Sequence, residues 1–70
     1  MFIVLELQAT LTNVAHIFTV YADQAQAESN YHLVLSAAAV SDVRAHSALL
    51  MTADGQVLRS ETYEHDGPTA

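Results

Sequence analysis

The chain has no cysteine and no tryptophan, and only two glycines, one proline and two basic residues. Each shortage excludes something. Without thiols there can be no disulfide framework, no cysteine nucleophile and none of the thiolate zinc sites. With glycine only at Gly55 and Gly67, the sequence has neither a phosphate-cradling loop nor a G-x-S-x-G nucleophile elbow. Arg44 and Arg59 face eight acidic residues, for a formal charge of −6. Nucleic acid is therefore not an expected partner, because phosphate contacts need clustered cations. No run approaches the ~20 apolar residues of a membrane span. The start, Met-Phe-Ile-Val-Leu-Glu, lacks a basic n-region and meets Glu6 too early for a secretory signal, so a cytosolic, reducing compartment is the expected setting.

What is present is apolar. Hydrophobic residues make up 51% of the chain and charged ones 14%, a balance that favours folding over disorder. Seventy residues allow one domain, and a domain of this size buries only ~60% of the surface its unfolded chain exposes. Small scaffolds offset so thin a core with disulfides, a structural metal or association. With the first excluded, a homo-oligomer is the expected state.

Taken in order, residues 2–10 alternate from Leu5 onward and residues 14–21 are rich in β-branched and aromatic side chains, the pattern of two strands. A turn at Thr12-Asn13 would pair Leu11 with Val14, Leu7 with Phe18 and Leu5 with Val20, and place His16 at the rim opposite Ala9. One face of this hairpin then collects Ile3, Leu5, Leu7, Leu11, Val14, Phe18 and Val20. Asp23, with Gln26 three residues on, opens a helix that runs free of Gly and Pro to about Val40. Its stripe of Ala27, Tyr31, Val34, Leu35 and Ala38 should lie on the sheet. Leu33 and Ala37 sit off that stripe and are the expected subunit interface. Ser41-Asp42 ends the helix.

Residues 43–65 form two alternating runs that meet at Asp54-Gly55, the signal of a two-residue type I′ hairpin. The expected fold is α+β, in the order ββαββ. It is a four-stranded, mainly antiparallel sheet with one helix across one face, over a single domain at 1–63 and a frayed tail at 64–70. Counting outward from the turn sets Leu50 against Arg59, Ala48 against Glu61, His46 against Tyr63 and Arg44 against His65. Leu49, Met51 and Leu58 would point to the core. Arg44, His46, Arg59, Glu61 and Tyr63 would share the open face with Glu6, Gln8, Ile17 and Tyr21.

Those five residues are the candidate ligand-binding set, since both arginines and an imidazole gather on one face. General acid/base work by His46 beside Glu61 and Tyr63 needs a cleft, which a flat sheet does not supply. A metal held by His46, His65 and Glu61 lacks a closed ligand set, so neither metal nor cofactor is expected. Cross-strand pairing alone explains the same residues, at ~0.2–1 kcal/mol a pair.

Several stretches also resemble a known group. They are Tyr21-Ala-Asp-Gln-Ala-Gln-Ala-Glu28, Tyr31-His32, Leu35-Ser-Ala-Ala-Ala-Val-Ser41, His46-Ser-Ala48, Leu50-Met-Thr-Ala-Asp-Gly55 and Ser60-Glu-Thr-Tyr-Glu-His65. Together they look like a family of short uncharacterised proteins of Gram-positive gut bacteria, often in phage or prophage regions. The likeness covers nearly the whole chain and implies a phage or mobile-element setting, without a biochemical role. At Thr62 the chain departs from relatives that often carry cysteine, which counts against catalysis there. Two functions are therefore expected. The first is a non-enzymatic oligomer that sequesters a host nucleotide signal, with tyrosine stacking on the base and arginine meeting phosphate, although the charge of −6 opposes an anionic ligand. The second is a structural or protein-interaction module, such as a virion accessory or an inhibitor docking on a basic host protein.

Overall fold

A computed structural model describes residues 1–65. Among them lie β1 (Phe2–Ala9), β2 (Val14–Tyr21), α1 (Gln24–Val40), β3 (Ala45–Thr52) and β4 (Val57–Glu64). The chain is thus an α+β fold of order ββαββ. All strand pairs are antiparallel, in the order β2-β1-β3-β4. Asp23 caps α1 by accepting the Ala25 N–H, and Ser41 closes it with its own N–H donated to the Ala38 carbonyl. Among the described residues no helix is long and apolar enough to cross a membrane.

The first hairpin turns earlier than its composition implies. Thr10 N–H donates to the Asn13 carbonyl at 2.8 Å, and the Thr10 hydroxyl accepts the N–H groups of Thr12 and Asn13. This local capping by a hydroxyl competes with an Asn-centred turn. The loop residues are Leu11 and Thr12, so Leu5 faces Phe18 and Leu7 faces His16, not Val20 and Phe18. The displacement is two residues. Because strand side chains repeat with period two, the residues within β1 and β2 keep their expected faces, while Leu11 moves into the loop.

The second hairpin has three loop residues, 53–55, in place of a two-residue type I′ turn. Gly55 N–H donates to the Thr52 carbonyl at 3.0 Å, Thr52 N–H donates to the Gln56 carbonyl at 2.8 Å, and Gly55 alone adopts positive φ, at 98°. A type I turn closed by a left-handed glycine explains both bonds. The extra loop residue is absorbed by a bulge: Met51 faces Val57 and Leu50 faces Arg59, which leaves Leu58 over. Beyond it the expected pairs Ala48 with Glu61 and His46 with Tyr63 are present. Gly55→Val should cost about 1–2 kcal/mol, since a β-branched residue resists positive φ. An unchanged urea midpoint for that variant would contradict this loop.

The larger correction concerns which face the helix covers. Val4, Ala48 and Leu50 are buried with Ala27 and Tyr31, and Phe2, Tyr21, Val34 and Leu35 pack around them. The helix stripe is the expected one, but it lies on the even-numbered side of β1 and β3, the side bearing His46 and Glu6. Ile3, Leu5, Leu7, Phe18, Val20, Leu49 and Met51 line the opposite, uncovered side. Connectivity explains the reversal. β2 and β3 both run antiparallel to β1, so they are parallel to each other, and α1 joins them across it. Crossovers between parallel strands of one sheet are right-handed, which ties the helix to one side whatever that side's hydropathy.

At the C-terminal end, Glu64 closes β4 and is not part of a tail. His65 is fixed as well, through its N–H to the Arg44 carbonyl at 2.9 Å and its Nε2 to the Ala38 carbonyl at 2.9 Å. The rest of the expected tail, 66–70, lies outside the described residues.

Candidate functional site

The residues singled out from the sequence do share one side of the sheet, but that side lies under and beside the helix. His46 is 3% exposed. Its Nε2 is 2.5 Å from Glu6 Oε2 and its Nδ1 is 3.0 Å from Ser41 Oγ. Gln8 Nε2–H donates to the same Glu6 oxygen at 3.0 Å, and Ser41 Oγ accepts the Val43 N–H at 3.1 Å. The donors order without conflict: Val43 N–H to Ser41, Ser41 O–H to His46 Nδ1, and His46 Nε2–H to Glu6. A hydroxyl, an imidazole and a carboxylate stand in a row, with the imidazole buried at the helix end and Ser41 and Glu6 partly exposed on either side of it. His46 is thus a core residue holding the helix exit to β1, not a surface ligand-binding group.

Arg59 lies where β4 passes the helix. Its Nε–H donates to Glu28 Oε1 at 2.7 Å, with both side chains partly in solvent. The hydrogen bond and the charge of Arg59 hold the Glu28 carboxyl below its ordinary value, and Glu28 raises Arg59 in return. Such pairs contribute little in water. Their consequence is electrostatic: one of the two arginines already has its counter-charge. Glu61 and Tyr63 follow Arg59 on the same side of β4 and are exposed, and Arg44 is exposed at the entry to β3. Arg59, Glu61 and Tyr63 do come together beside α1, whereas His46 lies beneath it.

Tyr31 is buried under this cluster. Burial first, and then the nearby Glu61 charge, push its phenol above the ordinary tyrosine range. The unfolded chain therefore ionises Tyr31 at a lower pH than the folded one. Stability from this group is complete below the unfolded value near pH 10 and is lost as pH rises through the folded value. Tyr31→Phe should flatten the alkaline limb of a pH–stability profile, and a limb of unchanged slope would show that another group controls it.

The uncovered side of the sheet has the opposite character. Phe18 is 61% exposed, Val14 58% and Val20 46%. Ile3, Leu5, Leu7, Leu49 and Met51 between them are half-buried. Sequence reasoning sorted these residues together correctly and assigned them to the core, because it took the more apolar side for the covered one. On the helix, Leu33 is 65% exposed and Ala37 is exposed too, as expected for residues off the stripe.

The sequence alone does not name Ser41 and Glu6 as partners of His46, or Gln8 as a partner of Glu6. The available signal was that Glu6 and Gln8 share its side of the sheet. Among the described residues no group of three or more His, Asp or Glu side chains is placed to hold a metal. The chain matches no family model, no curated protein and no solved structure.

Proposed function

We propose that this chain is a non-enzymatic protein-interaction module whose working surface is the uncovered side of the sheet. The observation that carries the reading is the apolar exposure of Val14, Phe18 and Val20 beside Leu5, Leu7 and Leu49. Soluble monomers rarely leave a contiguous apolar patch of that kind open, and patches of this kind mark association sites. Sequestration of a nucleotide is the weaker reading. His46 is enclosed, Arg59 is neutralised by Glu28, and the net charge of −6 repels phosphate.

Native mass spectrometry of the protein purified from its source tests the choice. The expected spectrum contains polypeptide mass only, as chains or complexes of chains. A retained species of nucleotide size, lost in Arg59→Ala or Arg44→Ala, would reverse the preference and return those arginines to the binding role expected from the sequence.

A further inference from the structure

We infer that the occupant of the apolar sheet face is a second copy of this chain, packed sheet against sheet with both helices outermost. The inference rests on the reading of that face as a docking surface, and it names the partner.

Area is the first argument. Four strands of eight residues, at about 4.8 Å between strands and about 3.3 Å per residue, offer a face of roughly 500 Å². Two such faces together remove about 1,000 Å² from water, the size at which specific interfaces begin. Two sheets of the same twist pack aligned at about −30°, and a two-fold axis makes one patch complementary to itself.

Charge is the second. A partner of identical charge, −6, would repel if acids lined the contact. They do not. Glu6 and Glu61 lie on the helix side of the sheet, Glu28 is on α1, and Asp23, Asp42 and Asp54 are in connections. Among the described residues, only Glu64, at the far end of β4 opposite Ala45, carries charge on the apolar side. Repulsion therefore acts at a distance and is screened.

The third argument is the thinness of the single-chain core. Leu50 and Val4 are its largest fully buried side chains. A domain with so little inside needs its second layer whenever it folds. The one partner present at every such moment, in equal amount, is the chain itself.

Sedimentation equilibrium of the full chain at micromolar concentration should give twice the 7.6 kDa chain mass. Phe18→Asp should return the single-chain mass, and Leu33→Glu on the helix should leave the doubled mass in place. Because the chain has no cysteine, Ala37→Cys accepts one spin label and reads geometry even if Phe18→Asp does not fold. Labels outside two stacked sheets lie about 30 Å apart or more, whereas helices packed on each other bring them within about 15 Å. A long distance supports the sheet-to-sheet pair and a short one overturns it. A wild-type chain that stays at the single mass also overturns it. In that event, the dye bis-ANS binding to wild type but not to Phe18→Asp would keep the face as a docking surface for a different protein. Equal binding would remove both readings.

Discussion

Leu50→Ala is expected to lower stability by about 2–5 kcal/mol, the range for emptying a fully buried leucine site. Leu50 is 0% exposed and lies in one cluster with Val4, Ala48, Ala27 and Tyr31, where an alanine-rich helix lies close to the sheet. Backbone held at that spacing cannot collapse far into the vacancy, so little of the loss is recovered. A chain of 70 residues has roughly 4–10 kcal/mol of stability in all. The variant should therefore lose a large share of the total stability, with its urea midpoint lowered to match. Urea unfolding at fixed protein concentration measures the effect, and a loss below about 1 kcal/mol would mean that the helix does not cover this side. Leu5→Ala, on the opposite face, gives a contrast: under the proposed sheet-to-sheet pairing its cost should vary with protein concentration.

The second large effect is expected at Glu6. Glu6→Leu takes the acceptor from His46 Nε2 and from the Gln8 amide together. An imidazole nitrogen left unpaired in the interior costs about 1–3 kcal/mol by itself. Adding His46→Leu should recover much of that loss, because a buried polar pair replaced whole by apolar groups is far less costly than one broken in half. The coupling from a double-mutant cycle, read by chemical denaturation, separates this arrangement from an incidental contact. Additive single effects would show that the two side chains do not depend on each other. From the sequence alone His46→Ala would be expected to spare the fold, as a change on open sheet. Its burial reverses that expectation.

Much of the architecture was legible in the chain because it depends on local chemistry. Period-two alternation marked the strands, the run from Asp23 to Val40 without Gly or Pro marked the helix, and Gly55 marked the turn that needs positive φ. Even where loops were misplaced, the sorting of side chains into two faces survived. A two-residue shift in the first hairpin preserves parity, and a bulge at Leu50/Met51 restores it in the second. The grouping of Glu6, Gln8, His46, Glu61 and Tyr63 on one side was correct for that reason.

Which side receives the helix was not written locally. Hydropathy favours the side with Leu5, Leu7, Phe18 and Leu49, and a single chain considered alone should cover it. Tertiary structure decides otherwise: β2 and β3 flank β1 as parallel neighbours, and the right-handed path between them carries α1 over Val4, Ala48 and Leu50. That choice encloses His46 with Glu6 and Ser41, pairs Arg59 with Glu28, and turns the expected core outward. Handedness is a property of the whole connected sheet, and no window of residues contains it.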